Sequence, residues 1–473
     1  MRRVWFAVSV ASLPFWLAAA MPCGAGQAGA AESSISAGVA VVDITPPIGY
    51  RMEGYFSERL STGTHDPLQA KAIVFRQGDE QAALVVCDLC AINAAVTGPA
   101  RARAEEKTGI PASHILIAAT HTHTGPLYFG GLREHFHRKA VAKDGIDPRE
   151  RIDYAAFLTE KLVEAIAGAQ AAARPARVDS GTALQQNLSF NRRFHMKDGS
   201  VRCNPGSRNP DIVRPAGPID PQVGVVLVRQ AADNRPLASL TVFALHLDTT
   251  GGTLYSADYP YYMEQALRES LGEQFVSVFA NGTCGDINHF DVSGRQTLKT
   301  AFIGETLAAT VKASLPELKP LAQPGLAVRS EVVELPLRTY TPEEVALAEQ
   351  ALEMIGTGKK PPMDIVKAYE IISFKYRPAG KLPALVQAIR LGNDTALVGL
   401  PGEVFVDLGL AIKKASPFPN TMVVELSQDC PDYVPTRKAF AEGSYETVCS
   451  WIEPGGGEML VDCAVRLLQQ LKP

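Results

Sequence analysis

Five short apolar runs in this chain each stop abruptly at residues that carry chemistry, and that repetition limits what it can fold into. ILIAAT (115–120) runs into His121 and His123, TVFAL (241–245) into His246 and Asp248, and FVSVFA (275–280) into NGTCGDIN. TALVGL (395–400) runs into Pro401, Gly402 and Glu403, and MVVELS (422–427) into QDCPDY with Tyr433. Short runs rich in Val, Ile and Phe, bounded by turn residues, read as buried strands. Between them, segments such as Thr97–Lys107, Ile152–Ala172 and Tyr261–Leu271 carry apolar residues at helical spacing. Strands alternating with helices predict an α/β fold, here a mixed sheet with helices packed around it. In open α/β sheets ligands bind beyond the carboxyl ends of the strands, so the five polar strand-ends are expected to share one crevice.

The chain has 473 residues, 46% of them hydrophobic, with no internal repeat, heptad pattern or low-complexity linker. One large domain over 37–473 is expected, with loop excursions at Gly130–Asp147, rich in His, Arg and Lys, and at the polar stretch Asn187–Pro218. His135 and His137 read as solvated residues of the first loop. The formal charge of -4 excludes nucleic-acid binding as the main task. Past the first thirty residues seven cysteines remain. Cys430 and Cys449 flank a loop-like stretch and are the expected disulfide, whereas Cys87 and Cys90, at CxxC spacing without a second such pair, read as core thiols.

His121 and His123, two apart at a strand end, project to one face if the backbone stays extended. Neutral imidazole is the commonest side-chain metal ligand. Two imidazoles, one carboxylate and a phenol form a nitrogen and oxygen donor set of the kind that holds Zn²⁺ in hydrolases. His121, His246, Glu403 and Tyr433 are the expected ligands. Each has a plainer reading: His246 as a hydrogen-bonded loop residue, Glu403 as an acid favoured at a helix N-terminus, Tyr433 as a turn aromatic.

The ordered segments VVDITPPIGYRMEGY, ATHTHTGP, FALHLDTT, FANGTCGDIN, LPGE and DYVPT, followed by Tyr445-Glu446, resemble landmarks of the neutral (non-lysosomal) ceramidase family over about residues 37–450. That family consists of exported or membrane-attached zinc amidases that cleave the N-acyl bond of ceramide. The resemblance implies zinc at His121, His246, Glu403 and Tyr433, with His123, Arg192 and Tyr445 lining the reaction centre. It also implies a small-molecule or lipid-like substrate. The family's loop reads GDxSPN with a reaction-centre serine, but here Asn288 holds that position. The family's immunoglobulin-like domain after the catalytic one is not expected here. Without a hydroxyl, the expected route is direct attack by metal-activated water on an amide or ester carbonyl, with Asn288 donating a hydrogen bond. Cys284, in the same loop, is a lower-ranked nucleophile. The alternative is a degenerate enzyme that binds a lipid or glycan without turnover.

The first residues, MRRVWFAVSVASLPFWLAAAM followed by AGQAGAA, give a basic start, an apolar stretch and small residues, which is the pattern of an export signal over 1–30. Export to the periplasm or medium follows, and no later stretch reaches the length of a membrane span. The mature chain is expected to begin near Ala31, and mass spectrometry of exported protein reads this directly. An intact Met1 would indicate a retained anchor.

Overall fold

The computed structural model describes residues 1–7, 9, 34–295, 298–321, 325–355, 357–359, 361–375 and 380–472. The expected leader falls mostly outside these residues. The main strands are β1 (Ser36–Asp43), β2 (Gln69–Gln77), β3 (Glu80–Cys87), β4 (Ile115–Ala119), β5 (Arg174–Leu184), β6 (Gln222–Gln230), β7 (Pro236–Phe243) and β8 (Val276–Asn281). With the short strand Lys319–Pro320 on β5 they form a nine-stranded sheet in the order β8-β7-β6-β5-β1-β2-β3-β4. Only β7–β8 and β3–β4 are parallel pairs. A second sheet runs β9 (Leu326–Pro336), β10 (Lys381–Leu391), β11 (Thr395–Gly399) and β12 (Asn420–Val424), with β11 and β12 parallel. β10 and β11 form an antiparallel hairpin that turns at 392–394.

The two sheets pack face to face with helices outside. Residues on β4 show why its sequence is apolar throughout. Ile115, Ile117 and Ala119 face a core shared with the helices α1 (Ala94–Thr108) and α3 (Tyr154–Ala171), while Leu116 and Ala118 face the core between the sheets. A strand buried on both faces cannot alternate with polar residues. On the far side of the sheet, α4 (Tyr259–Leu271) and α5 (Thr300–Ser314) cover β6, β7 and β8. The helices α8 (Val406–Ala415) and α9 (Gly456–Gln470) cover the second sheet.

The open nine-stranded sheet curls until β8 lies beside β3 and β4. The segment just after β12 fills the seam between these two edges. Glu425 N–H donates to Asn281 C=O (3.1 Å) at the end of β8, while Ala119 N–H donates to Leu426 C=O (3.1 Å) and Gln428 N–H to Ile117 C=O (2.8 Å) on β4. This stitching brings strand-ends from opposite edges of the sheet to one place.

Two loop expectations are corrected. Gly130–Asp144 is a helix, α2, with Leu132, His135 and Phe136 buried on one side. Its charges sit among Leu, Arg, Glu, Lys and Ala, all good helix formers, so charge density misidentified it as a loop. His135 is therefore packed, and His137 faces Asp147 (3.0 Å) and Glu150 (3.2 Å). Asn187–Pro218 is polar yet contains short strands and the buried Asn191, Arg192 and Arg193. The remaining inserted helices, α6 (Pro342–Leu352) and α7 (Pro362–Lys375), form a hairpin whose second helix packs on α2.

β1 passes so close to the end of α3 that a Cβ at Gly38 would stand 2.0 Å from Ala169 O and 2.5 Å from Ala173 N, both backbone atoms. Gly98, inside α1, has nothing within 4 Å of its Cβ position. Gly38→Ala is therefore expected to destabilise by about 2–3 kcal/mol through overpacking, whereas Gly98→Ala should stabilise by about 0.5–1 kcal/mol. Urea unfolding midpoints read both, and equal effects would contradict the packing of β1 on α3.

Candidate metal centre

β4 ends in alternation with a purpose. Thr120 N–H and His121 N–H still bond the carbonyls of Cys87 (2.8 Å) and Leu89 (2.8 Å), and His121 then turns at φ 77 rather than continuing extended. Such a φ is unfavourable for a residue with a Cβ and persists where the surroundings fix it. Thr122 and Thr124 donate their hydroxyls to Ser256 C=O at 2.7 and 2.9 Å, which holds the turn. Both histidine rings reach the same space through this turn rather than through a strand face, their Nε2 atoms 3.4 Å apart.

His246, three residues past Phe243 at the end of β7, arrives from the opposite end of the sheet's strand order. His121 Nδ1–H donates to Cys90 C=O (2.7 Å) and His246 Nδ1–H to Cys284 C=O (3.3 Å). With both Nδ1 protons used this way, the Nε2 lone pairs face each other at 2.9 Å. Lone pairs at that distance repel unless a proton or a cation lies between them. Glu403 Oε2 completes the triangle, 3.3 Å from His121 Nε2 and 3.6 Å from His246 Nε2, and is buried with no hydrogen-bond partner. The donor set of two imidazoles and a carboxylate fits a divalent cation.

Glu403 is placed by a pair of two-residue strands, Glu403–Val404 beside Tyr433–Val434, in which Glu403 and Tyr433 are register partners. Burial by itself would lower the His121 pKa, but the Glu403 carboxylate raises it to about 9. Burial and the charge on His121 drive His123 and His246 well below the ordinary imidazole value. Burial would raise the Glu403 pKa, yet His121, Arg192 and Tyr433 hold it below the usual carboxylate range. Of the three rings, only His121 is pushed toward the protonated form.

Arg192 reaches the centre from the Asn187–Pro218 excursion. Its Nε donates to Glu446 Oε1 (2.9 Å), NH1 lies 3.3 Å from His246 Nε2, and NH2 is buried without a partner. The guanidinium sits 5.2 Å from the Tyr433 ring centre and 5.9 Å from that of Tyr445. Tyr445 packs edge-on against Tyr433 at 5.6 Å. His123 Nδ1 lies 3.5 Å from Asp248 Oδ1.

Asn288 is buried but committed elsewhere. Its Nδ2 donates to Asn204 Oδ1 (2.7 Å) and its Oδ1 accepts from Phe290 N–H (3.0 Å). Cys284 is fully buried, its S–H donated to Glu425 Oε1 (3.0 Å), and burial followed by Glu425 pushes its pKa well up. Such a thiol is no nucleophile. The expected Cys430–Cys449 disulfide is not formed; both are buried thiols lining the cavity beside His121.

That cavity, of about 100 Å³, is walled by acids that sequence reasoning missed: Glu53, Glu370 and Asp432, together with Tyr55, Phe56 and Tyr369. Burial raises Glu53 to about 8, and burial with the adjacent Asp432 carboxyl raises Glu370 well above the usual range. The signal for Glu370 was an acid inside the apolar run YEIIS of a helix. Glu53 carried none, since its loop reads as an ordinary turn.

A family model for the neutral/alkaline non-lysosomal ceramidase N-terminal domain matches residues 35–300. The chain belongs to the neutral/alkaline ceramidase family. The matched span of this ceramidase-family chain contains His121, His123, Arg192, His246 and Asn288; Glu403, Tyr433 and Tyr445 lie beyond it. The neutral ceramidase of Pseudomonas aeruginosa is 30% identical over 251 residues, which cover 50% of this chain and 34% of that protein. The match thus spans about a third of the curated relative's length. The crystal structure of neutral ceramidase from Pseudomonas aeruginosa superposes with a TM-score of 0.69 at 23% identity, over 93% of this chain and 75% of that one. A ceramidase complexed with C2 gives a TM-score of 0.68 at 20% identity, over 93% and 76%. These likenesses establish the mixed α/β fold. Among the described residues, no helix is long and apolar enough to cross a membrane.

Proposed function

We propose that this chain is an exported zinc-dependent hydrolase, with a single catalytic domain over 37–473, that cleaves an amide (N-acyl) or ester bond in a small or lipid-like substrate. The observation that carries the reading is the convergence of two imidazole lone pairs and an unpartnered carboxylate oxygen, in a chain of the ceramidase family. His121, His246, Glu403 and Tyr433 would hold the ion. Bound zinc polarises a carbonyl and lowers the pKa of a water toward about 7.

The chain's own residues supply the rest. His123, kept neutral by burial, accepts a proton at Nε2, and Asp248 near Nδ1 offsets the charge that then forms on the ring. Arg192, steadied by Glu446, presents its free NH2 as a donor for a developing oxyanion, and the hydroxyl of Tyr445 is a second donor lining the cavity. Asn288 shapes the neighbouring loop through Asn204 rather than donating to substrate. With no serine hydroxyl and with Cys284 buried, no acyl group is transferred to the chain. The Asn288 amide is also what favours the second reading, a degenerate protein that binds a lipid or glycan and does not turn it over.

Purified protein should contain about one zinc per chain, and His121→Ala and Glu403→Ala should each lose most of it. On a panel of N-acyl amides and esters, chelation should abolish hydrolysis and zinc should restore it. Asn288→Ala, which removes a bond to Asn204 and none to substrate, should lower the rate by less than about tenfold, with no acyl adduct in the intact-protein mass during turnover. Full zinc in both ligand variants would overturn the centre. A zinc-loaded protein without turnover on any substrate would favour the binding reading, and an acyl adduct would overturn the direct route.

A further inference from the structure

Glu425 follows β12 at the seam between the sheet edges and is completely buried. Its backbone N–H is taken by Asn281 C=O. Its side chain accepts three hydrogen bonds: Oε2 from the backbone N–H of Cys284 (3.1 Å) and of Val404 (2.8 Å), and Oε1 from the Cys284 thiol (3.0 Å). The two backbone segments so held are the ones that aim ligands. Cys284 C=O accepts the Nδ1–H of His246 and so directs its Nε2 into the centre. Val404 follows Glu403 directly. The segments also lock to each other: Gly285 N–H donates to Val404 C=O (3.0 Å), and a Cβ at Gly285 would stand 2.4 Å from Glu403 O.

We infer that Glu425 is a positioning residue for the metal centre, a clamp that fixes His246 and Glu403 relative to each other through Cys284 and Val404 without touching the ion. This rests on the proposed metal centre. The chemistry calls for an acceptor of this length. A glutamine keeps one oxygen for the two backbone N–H groups and turns its NH₂ toward the Cys284 sulfur. An aspartate is one methylene too short to span both segments, and alanine leaves two buried N–H groups without partners. Groups that orient a metal ligand from behind typically control affinity by 10- to 100-fold when removed.

The test is zinc affinity of the full chain, measured by competition with a chromophoric chelator well below the unfolding temperature of each metal-free variant. Glu425→Ala and Glu425→Asp should weaken zinc binding by about 10- to 100-fold. Glu425→Gln and Cys284→Ala, which keep the two backbone bonds, should stay within about threefold, a pattern that a loss of general stability would not produce. Folded Ala and Asp variants with wild-type affinity would overturn the clamp. Failure of both to fold would make Glu425 a core residue of the seam and overturn it equally. A wild-type chain that binds no zinc would instead remove the metal centre itself, an outcome distinct from the other two.

Discussion

The site exists because two distant edges of one curled sheet are sewn together. β4 and β8 are the first and last strands of the nine-stranded sheet, yet the backbone of 425–428 bonds to both. That seam converts a separation along the sheet into a contact of 2.9 Å between imidazoles carried beyond β4 and β7. The same turn of chain sends the Glu425 side chain toward the segments behind His246 and Glu403. The ligand geometry therefore rests on a handful of backbone hydrogen bonds that no single strand could make.

Burial sets the electrostatics of this region. Arg192 and Arg193 both bond the completely buried Glu446, through Nε and NH1 at 2.9 Å each, and Arg193 also reaches Glu442 at 3.3 Å. Breaking such an arrangement on one side costs several kcal/mol because a charge is left buried alone. Arg192, together with His121, helps hold the Glu403 carboxylate ionised against its burial. In the same cavity, burial pushes the Glu53 and Glu370 carboxyls toward the neutral form.

The strand-ends were legible because apolar runs that stop at His, Glu or Tyr leave few alternatives: β4, β7, β8, β11 and β12 all lie where the runs predict, and His121, His246 and Glu403 converge. The Thr122 and Thr124 hydroxyls, the positive φ of His121 and the depth of Arg192 were not legible. They depend on partners such as Ser256 and Glu446, far away in the chain. α2 was missed because its density of Arg, Lys, His and Glu reads as a loop although Arg, Lys and Glu are good helix formers. Cys430 and Cys449 misled because flanking a loop says nothing about whether two thiols meet. Asn288 was read from its place in a motif, and the structure turns its amide to Asn204.

The most direct measurement is a crystal structure of the zinc-loaded chain with anomalous data collected on both sides of the zinc edge. A single peak about 2.0–2.2 Å from His121 Nε2, His246 Nε2 and a Glu403 oxygen, with the two rings moved apart from their 2.9 Å approach, is the predicted result. A peak at His137, Asp147 and Glu150, the other histidine-and-carboxylate cluster among the described residues, or none while the His121 and His246 nitrogens remain in direct contact, would contradict it.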